Sequence, residues 1–264
     1  MENQIITQLT TECPWRDTLY WYDTVDSTNT LAKVMAKDGA PHGTVLVAGA
    51  QTGGRGRMGR SFQSPSGGVY LSVILRPACT PDKLMHLTCA TAVAGCRAVE
   101  KACSFSPDIK WTNDLVAGRK KLGGILTELA LNGNGLVDYA IVGIGINCCQ
   151  KAEDFSPEIR EIATSIQAVT DTACSVSKVT AALIEALWEM DKGLLTQKAA
   201  IMDAYRKKCI TLGKEISVVC GDSISHGTAL DLDEDGGLLV RFTDGSEKIV
   251  ASGEVSVRGM YGYL

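Results

Sequence analysis

Short apolar runs separated by turn-rich polar stretches organise the first half of this chain. TVLVAGA (44–50), VYLSVIL (69–75) and VDYAIVGIGIN (137–147) are β-branched and bounded by turn residues, and they predict buried strands. LYWY (19–22) and DIKW (108–111) predict shorter strands. LVA and GGILTEL (123–129) flank a GRKK turn (118–121) and predict a hairpin. Between the strands the spacing changes to that of helices. Asp26 or Ser27 caps a helix with Leu31, Val34 and Met35 on one face, and Gly39 stops it. Thr80-Pro81 predicts the start of a long helix with proline in its first turn, its apolar body running through Leu84, Leu87, Ala90, Val93 and Ala94.

After Cys149 the strand signals stop. Ser156-Pro157 opens a short helix, Ser177 a longer one carrying Leu183, Leu187, Met190 and Leu194, and a third covers 196–208. From Lys214 the pattern returns to short strands: EISVV, HGTALDL, GLLVRF, EKIVA and VSVR, separated by Asp- and Gly-containing turns. Five such strands predict a small β-barrel. A mixed region over 1–210 and a C-terminal β domain over 211–264 are therefore expected.

Composition narrows the function classes. At 264 residues there is room for one large domain, or a medium one with a small companion. A formal net charge of -4 argues against a general nucleic-acid binder, and residues 1–20 are too few for a helix-turn-helix. No apolar stretch is long enough to span a bilayer and no signal peptide opens the chain, so the cytoplasm is expected. Ten cysteines with no C-x-x-C pair read as free thiols in a reducing compartment. Cys89, Cys96 and Cys103 recur every seventh residue and read as one buried helix face, and no structural zinc is expected.

Candidate chemistry concentrates in four stretches. Residues 39–81 contain no acidic side chain but hold Arg55, Arg57, Arg60 and Arg76. Three of these arginines lie in QTGGRGRMGR (51–60), where glycines let backbone N–H groups approach an anion and guanidinium forks pair with phosphate or carboxylate. A flexible solvated basic loop has the same composition, but no G-K-[ST] follows, so this is not a Walker loop. IKWTNDL (109–115) offers Lys110 for a phosphate and Asp114 for Mg²⁺, although a polar strand end looks the same. GRKKLGGIL (118–126) brings Lys120 and Lys121 into a strand that begins with Gly123 and Gly124. GIGIN (143–147) permits close approach at Gly143 and Gly145 but fails as a dinucleotide fingerprint.

Taken in order, DSTN (26–29), QTGGRGRMGR, GGVYLSVIL (67–75), KWTNDL (110–115), KLGGIL (121–126), GIGIN and the terminal β domain resemble the biotin–protein ligases, over nearly the whole chain from about residue 20. The form resembled is the short one, without the family's N-terminal winged-helix repressor domain. The resemblance implies an α+β fold: a mixed β-sheet backed by helices, shared with lipoate ligases and similar to class II aminoacyl-tRNA synthetases, plus an SH3-like C-terminal barrel. It implies biotin contacts at Ser27, Thr28, Asn29, Gln51, Arg55, Gly56, Arg57, Lys121 and Gly124. It implies ATP contacts at Arg57, Arg60, Trp111, Asn113 and Asn147, with Asp114 as the Mg²⁺ ligand. Two departures stand out: Thr112 replaces the proline of K-W-P-N-D, predicting a looser turn, and Gly53 replaces a commoner alanine, predicting a more mobile loop.

The implied reaction has two halves. ATP and biotin give biotinyl-5'-AMP, and the acyl group then passes to a lysine of a biotin carboxyl carrier domain. Lys121, Lys110, Arg55 and Arg57 are the implied catalytic cations, Gln51 and the Ser27–Thr28 cap the ureido partners, and Trp111, Gly123, Gly124 and Leu126 the walls, with Trp111 reading equally as core. No DNA or membrane partner is expected, and a homodimer is left open. A lipoate or octanoate ligase and a non-catalytic biotin sensor are the competing readings. The R-G-R-x-G-R run counts against the first, and the retention of Lys110 and Lys121 against the second.

Overall fold

The structure is a computed structural model that describes residues 1–251 and the backbone of 256–259. Its strands are β1 (Leu19–Val25), β2 (Thr44–Gln51), β3 (Gly68–Leu75), β4 (Asp108–Lys110), β5 (Asp114–Ala117), β6 (Lys120–Leu131), β7 (Val137–Asn147), β8 (Glu215–Cys220), β9 (Ser223–Leu232), β10 (Leu238–Phe242), β11 (Glu247–Val250) and β12 (Ser256–Gly259). Its helices are α1 (Glu2–Ile6), α2 (Thr28–Lys37), α3 (Leu87–Cys103), α4 (Pro157–Arg160), α5 (Ile166–Thr170), α6 (Val176–Gly193) and α7 (Lys198–Lys208). Val255, which opens the expected VSVR strand, lies outside the described residues, as does the end of the expected 211–264 domain.

Strands β1 to β7 form one sheet in the order β1-β2-β3-β7-β6-β5-β4. Only β1 and β2 run parallel; the remaining pairs are antiparallel, so the sheet is mixed. Alternation along the strands decides what each face meets. Val69, Leu71, Val73, Ala140, Val142, Ile144 and Ile146 join the core formed with α3 and α6. The intervening Leu46, Ile74, Tyr139 and Ile141 pack under α2. On that second face β7 places Gly143 and Gly145 where its neighbours place side chains, and there the sheet is hollowed. Strands β8 to β12 form a second, smaller antiparallel sheet in the order β11-β10-β9-β8-β12. It is tied back to the first region by Trp111 Nε1 donating to Gly236 O (2.9 Å) and by Arg206 paired with Asp231 (2.9 Å).

Four expectations shift. The helix predicted from Thr80-Pro81 is a 3₁₀ turn at Pro81–Leu84, and α3 begins only at Leu87, because the chain breaks to bury Leu84 before His86. Helix α6 starts at Val176 with Ser175, not Ser177, accepting the capping hydrogen bond. On α2 the buried stripe is Thr28, Asn29, Ala32 and Ala36, while Val34 is exposed; small residues allow close approach to the sheet. Lys120 and Lys121 already belong to β6 rather than to the turn, which is Gly118-Arg119. Among the described residues no helix is long and apolar enough to cross a membrane.

Candidate active site

The site begins at the N-terminus of α2. Ser27 has extended backbone and its hydroxyl accepts from Thr30 N–H (3.4 Å), which caps the helix. This holds Thr28 and Asn29 against the hollow face, and a buried network fixes them there. Thr28 donates from its N–H (2.8 Å) and its hydroxyl (3.1 Å) to Gln51 Oε1, whose Nε2 donates to Ser64 Oγ (2.8 Å). Ser72 Oγ lies 2.8 Å from Thr28 Oγ1 and donates to Asn29 Oδ1 (2.7 Å). Asn29 Nδ2 donates to Leu126 O (3.2 Å) and to Glu128 Oε2 (3.0 Å). A Cβ on Gly143 would land on Asn29 Oδ1, so glycine is required there by its neighbour. Gln51 therefore acts first on its neighbours, because its amide is already used by Thr28 and Ser64.

The basic segment after β2 is a small hairpin, not a loose loop. Gln51 bridges Ser64 and Arg55 bridges Ser61. Gly56 N–H donates to Arg60 O (2.7 Å) and Phe62 N–H to Gly54 O (2.9 Å). At its tip Met58 and Gly59 both have positive φ (55° and 73°), which costs a methionine about 1 kcal/mol. Gly53, expected to loosen the loop, instead donates its N–H to Asp26 O (2.9 Å). Arg55 lies 3.4 Å from Glu128, and Arg57 donates to Asn113 Oδ1 (3.1 Å). Burial lowers the Arg57 guanidinium, with Arg60 acting in the same direction and Asp114 opposing. Burial would raise Glu128, but hydrogen bonds from Lys33 and Asn29 and the charges of Lys33 and Arg55 outweigh it, so the carboxyl lies below its ordinary value.

The third side is built by β4, β5 and β6. Lys121 Nζ lies 2.6 Å from Asp114 Oδ1 and 5.7 Å from the centre of the Phe62 ring. Its backbone is clamped from outside the sheet: Lys121 N–H donates to Ile162 O (2.7 Å) and Thr164 N–H to Lys121 O (2.9 Å). The turn at Thr112 is buried and bound, with Tyr205 OH donating to Thr112 O (3.0 Å) and Trp111 N–H to Thr211 Oγ1 (2.9 Å). The Trp111–Thr112 peptide is cis.

These three sides enclose a cavity of about 420 Å³. Ser27, Thr28, Asn29, Gln51, Arg55, Gly56, Arg57, Arg60, Lys110, Trp111, Asn113, Asp114, Lys121 and Gly124 all line it. Asn147 does not: it is buried behind the wall, its Nδ2 donating to Thr164 O (2.9 Å) and its Oδ1 left without a partner. Gly123 also stays out, since its Cα faces Gly145 O. Phe62, Tyr70 and Ile162 are among the lining residues that escaped the sequence reading. Phe62 rests on the glycine floor, where a Cβ on Gly145 would come within 2.5 Å of its ring. Tyr70 shares the Ser72 face of β3, which the alternation could have disclosed, and burial raises its hydroxyl. Ile162 arrives from a segment distant in sequence, for which no local signal exists.

Comparison with known proteins places this mixed sheet, with its cation-lined hollow over a glycine floor, in the class of biotin and lipoate protein ligase folds. Residues 21–147 match the Biotin/lipoate A/B protein ligase family and residues 211–258 match the Biotin protein ligase C terminal domain. The bifunctional ligase/repressor BirA of Bacillus subtilis (strain 168) is 33% identical over 253 residues, spanning 95% of this chain and 77% of that protein. The biotin--[acetyl-CoA-carboxylase] ligase of Mycobacterium tuberculosis is 29% identical over 239 residues, 87% of this chain and 85% of that one. Among solved structures, the biotin protein ligase from Aquifex aeolicus in complex with biotin and ATP superposes with a TM-score of 0.77 at 31% identity, covering 92% of this chain and 99% of that chain. The chain belongs to the biotin protein ligase family.

Proposed function

We propose that this protein is an ATP-dependent biotin–protein ligase of the cytoplasm, with residues 1–210 as its catalytic region and 211–264 as its C-terminal domain. One observation carries the reading: Arg55, Arg57, Arg60, Lys110 and Lys121, from three separate segments, line one cavity in which Asp114 is the one lining acid among the described residues. In the first half-reaction the biotin carboxylate attacks the α-phosphorus of ATP and pyrophosphate leaves. Two anions must meet, and fixed cations in a partly desolvated cavity screen that approach and stabilise the charge that develops at phosphorus. Lys121 is suited to the carboxylate–phosphate junction, because the strand clamp fixes its backbone and Phe62 and Asp114 fix its ammonium.

The cap end suits the ureido head of biotin. It presents Ser27, Thr28 and Asn29 beside Leu126, with Gln51 as the residue that positions Thr28. Arg57, Arg60, Trp111 and Asn113 suit the nucleotide. The unpartnered Oδ1 of Asn147 is an acceptor fit for an adenine amino group, once the segment that covers it shifts. For Mg²⁺ the donor set is poor: Asp114 is committed to Lys121, and no cluster of three or more ligating side chains occurs among the described residues. No step is therefore assigned to an ion held by the protein, and Asp114 is read as the partner that orients Lys121. In the second half-reaction the amine of a carrier-domain lysine attacks the acyl carbonyl of the adenylate and AMP departs. Relatives named biotin--[acetyl-CoA-carboxylase] ligase support a biotin carboxyl carrier domain as acceptor.

Incubation with biotin, MgATP and a biotin carboxyl carrier domain, read by intact mass, tests the reading. Addition of one biotinyl group to the carrier is expected. Pyrophosphate exchange driven by lipoate but not by biotin would replace it with the lipoate-ligase reading.

A further inference from the structure

Four cysteines from three places in the fold meet outside the residues that line the cavity. Cys103 is the last residue of α3, Cys148 and Cys149 follow β7, and Cys174 stands just before the cap of α6. The Cys103 and Cys174 sulfurs are 3.9 Å apart, and the Cys149 thiol donates to Cys174 O (3.1 Å). Cys103, Cys149 and Cys174 are each partly exposed, while Cys148 is buried. No metal-binding arrangement of these groups occurs among the described residues. None of the four lines the cavity, so the proposed ligase chemistry does not account for them.

We propose that Cys103 and Cys174 form a peroxide-reactive thiol pair that closes reversibly into a disulfide, with Cys174 as the attacking sulfur and Cys103 as the resolving one. Position separates the two roles. Cys174 precedes the N-terminus of an 18-residue helix, whose positive end favours a thiolate. Cys103 ends a 17-residue helix, whose negative end disfavours one. The neighbouring Cys148, Cys103 and Cys149 thiols hydrogen-bond to Cys174 and, against burial, bring it down to about 7. Burial, together with Cys174, moves Cys103 the other way. Lys178, one turn into α6, is the cation acting on Cys103.

The chemistry balances with a peroxide as oxidant. The Cys174 thiolate attacks a peroxide oxygen, giving a sulfenic acid and hydroxide. The Cys103 sulfur then attacks that sulfenic sulfur, the S–S bond forms, and the hydroxyl leaves as water with the Cys103 proton. Both thiols are oxidised together by two electrons, and one peroxide is reduced. Closure needs the sulfurs to approach from 3.9 Å to the ~2 Å of a disulfide bond. The exposed segment of residues 171–173, leading into Cys174, is placed to supply that movement.

The test uses the whole protein. Reduced protein is treated with one equivalent of hydrogen peroxide and digested without reductant, and the peptides are identified by mass. A Cys103–Cys174 linked peptide, reversed by dithiothreitol, is expected. In a parallel arm, limiting iodoacetamide at neutral pH should label Cys174 at least about tenfold faster than Cys103, the partner held as a thiol. In Cys103→Ser the sulfenic acid at Cys174 should persist and be trapped by dimedone. First oxidation at Cys220 or Cys79, a Cys149–Cys174 link in place of the expected one, or labelling of Cys174 no faster than Cys103 would each overturn the proposal. The peroxide and alkylation arms need no variant, so a folding defect in Cys103→Ser leaves the test standing.

Discussion

The two ends of the cavity are built on opposite plans. At the cap end Ser27, Thr28 and Asn29 are 2%, 3% and 5% exposed, and the polar side chains of Thr28, Asn29, Gln51 and Ser72 are bound to one another or to strand carbonyls. At the basic end the Arg55 side chain is 46% exposed and the Met58 tip is held at positive φ. The first end is finished before any ligand arrives, like the interior of the fold. The second carries concentrated like charge with few protein acids to answer it, and an anionic ligand completes it. Recognition of a neutral head group suits the rigid end, and stabilisation of charge suits the end that can close.

The sharpest way to break this contrast is at the junction. Lys121→Ala removes a cation whose backbone is clamped by Ile162 and Thr164. Loss of such a preorganised charge should cost ~2.7–4 kcal/mol of transition-state stabilisation, a fall of roughly 10²–10³-fold in biotin-dependent pyrophosphate exchange. Near-normal exchange would show that the charge is not at the reacting atoms. Next comes closure. Trypsin should cut apo protein at Arg55, Arg57 or Arg60. Biotin plus ATP at ~100 times their dissociation constants should protect the hairpin by up to ~2.7 kcal/mol, on the order of a hundredfold in cleavage rate. Equal cutting in both states would make the basic end as rigid as the cap end.

At the rigid end the expected effect is on stability. Gly143→Ala drives a methyl group into Asn29, whose amide is fixed by Ser72, Leu126 and Glu128. Overpacking of this kind costs ~1–3 kcal/mol, to be read as a lower urea midpoint at unchanged m-value. A neutral result would mean that Asn29 can move freely, and the description of a finished cap end would fail.

The contrast also explains what the sequence could disclose. Strand β7 was legible residue for residue, since an apolar run flanked by turns has no competing reading. The cap at Ser27 was legible because N-cap chemistry is local. The arginines announced an anion site by composition alone, but their hairpin did not: the Gln51–Ser64 and Arg55–Ser61 bridges depend on backbone pairing that glycine-rich sequence does not encode visibly. Phe62 was missed for the same reason. The role of the glycines was half legible. Close approach at Gly143 and Gly145 was foreseen, but the approaching groups are Asn29 and Phe62, brought from elsewhere in the chain. Asn147 matches the family pattern and lies behind the cavity wall in this structure, a placement set by its bond to Thr164 O that no local sequence signal shows.

Glu128 is the residue on which the two ends meet, and it gives the smallest and most specific prediction. Its Oε2 accepts from Asn29 at the cap end, and its Oε1 faces Lys33 (2.5 Å) and Arg55 (3.4 Å) toward the basic end. The folded-state pKa is depressed, so the folded protein binds this proton less readily than the unfolded chain does. The stabilisation is therefore fully present above the unfolded value near 4.5 and is lost as pH falls through the lower folded value. Because Lys33 and Arg55 are a third or more exposed, the ion-pair share should stay below about 1 kcal/mol. Urea melts of Glu128→Gln should match the parent most closely at the acid end and fall behind it above pH 5. The same variant should also be cut faster at Arg55 in the apo form, because the hairpin has lost its tie to the rigid end. A variant that loses stability equally at every pH, with unchanged cleavage, would leave Glu128 as packing alone and separate the two ends completely.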